Sequence, residues 1–232
     1  MKKITIAILA TLFSYSIASA ELGISIGVSG QVGTMEGSGS ELNSDTRTAT
    51  ETSPVKEALF GTAGFFIEKD LKFLPLPIVN RLSIGFSNIS HDLDMGTSTN
   101  FREASLGTKA ANTVIATTHS LNAKVTGFET VYATLNITDW LYVKAGNVSV
   151  DVDTKFTGSA TSTYATNHSL DGSMTGIGIS KASDNGLFFR LEYNDYDIDG
   201  ISVANTGTDS KFTARLNDVS GSTGRISIGK KF

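Results

Sequence analysis

Three histidines, His91, His119 and His168, are the side chains of this 232-residue chain best suited to moving protons near neutral pH. Only His91 has an acid next to it, Asp92, and a hydrolase acting on lipid A would need that pair beside an activated serine. Serines are too numerous for the spacing to select one, so no catalytic residue is assigned. Asp151 with Asp153, and Asp195 with Asp197 and Asp199, each lie on one face of an extended segment, a spacing that suits hard cations. Neither set has the Glu or Gly at the offsets of a cation-binding loop. Both read as solvated strand ends, and no metal site is assigned. Gly176 and Gly178 lack the Lys-Ser/Thr and helix of a phosphate loop and read as small interior residues. No cofactor is expected. The remaining chemistry is ionic: Lys144, Arg190, Glu192 and Arg225 fall on the faces of extended segments opposite their apolar stripes.

Those charges are positioned by strands. Leu22, Ile24, Ile26 and Val28 alternate with Gly and Ser, and Val32 keeps the period; Leu82, Ile84 and Phe86 alternate with Arg81, Ser83 and Gly85. Similar segments run over 59–68, 123–137, 175–180 and 224–232. Leu187, Phe189, Leu191 and Tyr193 alternate with Phe188, Arg190, Glu192 and Asn194. In the segment from Leu141 the apolar parity passes from Leu141, Val143 and Ala145 to Val148, Val150 and Val152, which predicts a bulge near Gly146-Asn147. The count is eight.

Composition narrows what eight such strands can form. Hydrophobic residues make up 40% and charged ones 18%, with 23 Gly, 3 Pro and no Cys, which excludes a disulfide scaffold and a charged disordered chain. Met1-Lys2-Lys3, the apolar run Ile4 to Ile17 and Ala18-Ser19-Ala20 have the order of an export signal, with Ala18 and Ala20 as its cleavage residues. Residues 1–20 are therefore expected to be a leader and 21–232 the mature domain. Without Lys2 and Lys3, 17 basic residues face 23 acidic ones, a charge of −6, so no nucleic-acid footprint is present. Past residue 20 there is no apolar run of about 18 residues, which excludes a helical span but not a barrel.

The connections alternate long and short. Long polar stretches cover about 35–58, 91–122, 154–168 and 198–223, and short turns fall after residue 69, at Thr138-Asp139 and at Asp184-Asn185-Gly186. With both termini on one side, the four long loops are expected outside and the turns in the periplasm. The expected fold is all-β: an eight-stranded antiparallel up-and-down transmembrane β-barrel. Ten strands are the second choice, if 198–218 forms another membrane hairpin. The apolar stretch Leu71 to Val79, with Pro75 and Pro77, fits neither turn nor central strand.

The leader, the strand Leu22 to Val32, the motif Tyr142-Val143-Lys144-Ala145-Gly146 and the terminal Gly224-Arg225-Ile226-Ser227-Ile228-Gly229-Lys230-Lys231-Phe232 resemble the small outer-membrane β-barrel proteins of Gram-negative bacteria, and among them the opacity-type porins of marine alphaproteobacteria. The resemblance implies the bacterial outer membrane as location and lipid and lipopolysaccharide as surroundings. It also implies an assembly signal at Ile226, Ile228 and Phe232, read by the barrel-assembly machinery. Lys230 departs from it, standing where a hydrophobic residue is usual.

An eight-stranded barrel is just wide enough to be filled by side chains, and buried charges require partners. Glu192 is expected to lie between Arg190 on its own strand and Arg225 on the neighbour, in a network that closes the lumen. The expected role is structural or surface-interacting, in a monomer. A narrow channel for small solutes is the alternative, and a lipid A-modifying enzyme the third reading.

Overall fold

The computed structural model describes residues 23–43, 48–72, 79–89, 92–105, 114–157, 164–206 and 212–232. The expected leader with Ala18 and Ala20, His91, and most of the apolar 71–79 stretch lie outside the described residues. Eleven strands follow in order: β1 Ile24–Asn43, β2 Thr48–Asp70, β3 Leu82–Ile89, β4 Leu93–Ser105, β5 Val114–Asn136, β6 Leu141–Thr157, β7 Asn167–Ala182, β8 Leu187–Ile198, β9 Ile201–Ala204, β10 Phe212–Leu216 and β11 Val219–Lys231. Every pairing is antiparallel. The wall runs β1-β2-β3-β5-β6-β7-β8-β11, and β11 pairs back onto β1 from Ser25↔Lys231 to Glu36↔Ser220, closing an eight-stranded barrel.

Three strands extend the wall rather than enlarge it. β4 pairs with β5 beyond the part that β3 occupies, so the two share one partner end to end. β9 and β10 form a hairpin, and β10 joins the far end of β1 at Gly39 to Asn43. The 198–218 stretch therefore adds no membrane hairpin, and the ten-stranded alternative does not form. Much of what reads as loop in the sequence is paired backbone, since β1 and β2 pair up to Asn43↔Thr48 and β4 and β5 up to Ser105↔Val114. The β1–β2 and β4–β5 extensions carry no sustained period-2 alternation in their sequence, which is why they read as loops.

The opposite end is tight. Thr138 Oγ1 accepts from the backbone N–H of Trp140 and Leu141 and closes the β5–β6 turn. In the β7–β8 turn, Asn185 Oδ1 accepts from the Ser183 hydroxyl and the Leu187 N–H, and Gly186 takes a φ of 83° that disfavours a side chain.

Along each wall strand, successive side chains point in and out. Ile26, Val28, Val32, Phe65, Val143, Ile177, Ile179, Leu187, Phe189, Leu191, Tyr193, Ile226 and Ile228 all stand exposed on the outside. A water-soluble protein does not carry so wide an apolar surface, whereas lipid solvates it. On β8 the outward positions change from Tyr193 to the exposed Asp195 and Asp197, marking the girdle's edge. Trp140, in its turn, and Phe232 stand exposed at the tight-turn end.

Strand β6 corrects the sequence reading. Tyr132↔Gly146 and Val131↔Asn147 pair without interruption, so there is no bulge at Gly146-Asn147; the register shift lies at Val125/Gly127 on β5. Tyr142, Lys144, Val148 and Val150 all point inward, and Val148 and Val150 are buried. The apparent change of parity has another cause: the interior itself changes from polar to apolar partway along the barrel. Its far half is a packed core of Met35, Phe60, Phe128, Val148, Val150, Leu170, Met174, Tyr196 and Ile198.

Candidate functional site

The interior of the near half is polar, and β8 shows the sequence of layers in one strand. From the tight-turn end its inward residues are Phe188, Arg190, Glu192, Asn194, Tyr196 and Ile198, so ring, charge, amide and apolar core succeed one another.

Two carboxylates organise the charged layer. Glu192 accepts from Lys144 Nζ at 2.7 Å and has Arg225 Nε at 3.4 Å. Register brings Arg225 there, because it sits directly opposite Glu192 on the neighbouring strand. Arg190 does not pair with Glu192, contrary to the expectation from the sequence. Its guanidinium donates from Nη1 and Nη2 to the two oxygens of Glu68, at 2.6 and 2.7 Å, in a bidentate pair across the lumen. Tyr132 OH donates to the same carboxylate at 2.9 Å. Lys144, Arg190, Glu192 and Arg225 thus share one interior, Lys144 and Arg225 on Glu192 and Arg190 on Glu68, a partner absent from the sequence expectation. Its signal was parity alone, since Glu68 shares the inward face of Phe60, Thr62, Gly64 and Phe66.

The charges have room because their neighbours are small. Glu68 lies between Ser25 and Gly85, and Arg190 between Ser180 and Ser227; Gly178 is beside Glu192 and Gly176 beside Lys144. Aromatic rings fill the remaining space, each lying over a glycine directly opposite: Phe66 over Gly27, Tyr132 over Gly85, Tyr142 over Gly178 and Phe188 over Gly229. A Cβ at any of these glycines would come within 2.6 Å of the ring. The rings also face the cations. The Arg190 guanidinium lies 4.5 Å from the Phe188 centroid and 5.5 Å from that of Tyr142, and Lys144 Nζ lies 4.0 Å from that of Tyr132. At the mouth, Asp70 and Lys231 form a further ion pair.

The residues considered for other chemistry are dispersed. Asp92 pairs with Lys124 at 2.5 Å, and His168 meets the Ala165 carbonyl at 2.9 Å in an exposed position. His119 lies on β5 opposite Asn100. Gly176 and Gly178 face the lumen, beside Asn194 and Tyr142. Ile226 and Ile228 on β11 and Phe232 just past its end stand outside, and Lys230 lies with Nζ 5.3 Å from the Phe232 ring centroid, which keeps its charge at the rim.

A closed wall, a greasy outside and a filled inside describe a bacterial outer-membrane β-barrel. The sequence matches no protein-family model and no curated protein. Among solved structures it is similar to the outer-membrane protease OmpT from Escherichia coli, at 8% identity over 94% of this chain and 100% of that one, with a TM-score of 0.49. OprG from Pseudomonas aeruginosa is similar at 8% identity over 90% and 96%, with a TM-score of 0.44. Ail, the attachment invasion locus protein of Yersinia pestis, is similar at 10% identity over 87% and 97%, with a TM-score of 0.30.

Proposed function

We propose that this barrel is a non-conducting structural element of the outer membrane that presents β-hairpin extensions at the cell surface and carries out no catalysis. The observation that supports it is the filling of the lumen: a bidentate Arg190–Glu68 pair and the Lys144–Glu192–Arg225 cluster lie beneath an apolar core that spans the far half. An ion crossing that core would lose its hydration without replacement. In this reading the tight turns and both ends of the domain face the periplasm and the hairpin extensions of β1–β2, β4–β5 and β9–β10 face outward. The surroundings are lipid and lipopolysaccharide, the protein is a monomer, and the barrel-assembly machinery recognises Ile226, Ile228 and Phe232. Its affinity among small barrels is with the opacity-type porins.

The test is conductance. Purified barrel reconstituted into planar bilayers should give no current steps, and Glu192→Ala, which loosens the network, should raise conductance from near zero. Steady conductance of the unaltered protein, with Glu192→Ala changing only ion selectivity, would instead establish a narrow channel lined by these charges.

A further inference from the structure

Charge in the buried layer does not balance. Three cations, Lys144, Arg190 and Arg225, face two carboxylates, Glu68 and Glu192, and the described residues that point inward at that level supply no other acid. One positive charge is left over. Arg190 is matched by both oxygens of Glu68, and Lys144 takes the closer oxygen of Glu192. The excess falls on Arg225, whose Nε is 3.4 Å from Glu192, is sealed from solvent and makes no hydrogen bond.

Beside Arg225 the lumen keeps a small pocket, of about 10 Å³, lined among others by Gln31, Thr62, Ser87, Thr130 and Tyr196. Register explains the grouping: Arg225 is opposite Gln31 on β1, and Gln31 is opposite Thr62 on β2, so three inward side chains form a row across three strands. All three are buried, and the Thr62 hydroxyl has no hydrogen-bond partner. A guanidinium only donates, and an amide and hydroxyls can donate with it. The pocket therefore combines an unbalanced buried cation, orphan donors and room for one small particle.

We propose that this pocket binds a small monovalent anion of the halide class, which completes the charge balance of the lumen. Sulfate or phosphate is too large for a space that admits about one water. The halide sits between Arg225 and Thr62, receiving hydrogen bonds from both, with Phe128 and Ile89 as the apolar flank of the pocket. The site differs from a conduction pathway, because the apolar core beyond it gives the anion no exit.

Bromide is the probe. Crystals of the full barrel grown in sodium bromide should give an anomalous bromine peak in the pocket, and the heat-unfolding midpoint in detergent should be higher in bromide than in gluconate at equal ionic strength. Arg225→Met should abolish both effects. Thr62→Val keeps the side-chain shape, so it tests the site even if the Arg225 variant fails to fold; it should weaken bromide binding by about tenfold, the loss of one hydrogen bond to a charged group. A wild-type pocket without anomalous signal, and a midpoint indifferent to the anion, would show that it holds water and overturn the proposal. Conductance plays no part in either readout, so failure here is distinct from failure of the non-conducting reading.

Discussion

Removing the Glu68 carboxylate is the sharpest perturbation of the lumen. Glu68→Ala deletes two hydrogen bonds from Arg190, at 2.6 and 2.7 Å, and the acceptor of Tyr132 OH at 2.9 Å. It leaves a guanidinium inside the barrel with aromatic faces for company and no carboxylate of its own. Breaking a buried pair on one side costs about 3 to 5 kcal/mol, and the orphaned tyrosine hydroxyl adds about 1 kcal/mol. Water reaches part of Arg190, whose side chain is 14% exposed against 2% for Glu68, so the loss should fall near the lower end of that range. The paired replacement Glu68→Leu with Arg190→Met removes both charges and should recover most of the loss, since apolar substitutes for a buried ion pair are often neutral or stabilising. Denaturant unfolding in lipid vesicles, with mobility on unheated gels as a second readout, compares Glu68→Ala and the double variant with the unaltered barrel. If Glu68→Ala lies within about 0.5 kcal/mol of the unaltered barrel, the range of an ordinary surface change, or if the double variant is as unstable as the single one, the pair does not hold the lumen together.

Gly178→Ala would place a Cβ 2.5 Å from the Tyr142 ring and should cost about 1 to 3 kcal/mol in the same unfolding assay, whereas Gly224→Ala, with open space around it, should cost little. Phe189→Arg puts a charge on the lipid face of β8 and should destabilise by about 2 to 4 kcal/mol in vesicles, with Asp197→Arg, beyond the girdle, close to neutral. Deleting Phe232 should lower the amount of folded, heat-modifiable barrel in the outer membrane, and equal amounts with and without it would count against a terminal assembly signal.

Periodicity made the wall legible where its two faces differ. On β3, β8 and β11 the apolar stripe faces out against Ser, Gly or charge, and the structure keeps that parity throughout. On β6 the rule misled, because Val148 and Val150 belong to an apolar interior and a valine does not say which apolar medium it faces. The Arg190–Glu68 pair was hidden for another reason. The two residues are 122 apart in sequence and meet across the lumen, a relation that depends on barrel diameter and register rather than on any local repeat. The rings were hidden likewise: an aromatic on the small-residue face makes sense only once the glycine opposite it is known. The β1–β2 and β4–β5 extensions escaped notice because their sequences carry no sustained alternation.

Register at the β1–β11 boundary sets Gly27 directly against Gly229. A Cβ on Gly27 would lie 2.4 Å from the Ile228 carbonyl, and one on Gly229 2.7 Å from that of Ile26, so neither strand can present bulk to the other there. Phe66 and Phe188, reaching in from the two strands beyond, meet over this bare stretch with centroids 6.1 Å apart. The first and last strands therefore close along a smooth join that backbone pairing alone can zip. The clasp is supplied from behind, by rings carried on the neighbouring strands β2 and β8, so a bulky residue at either glycine should leave an open sheet rather than a loosened barrel.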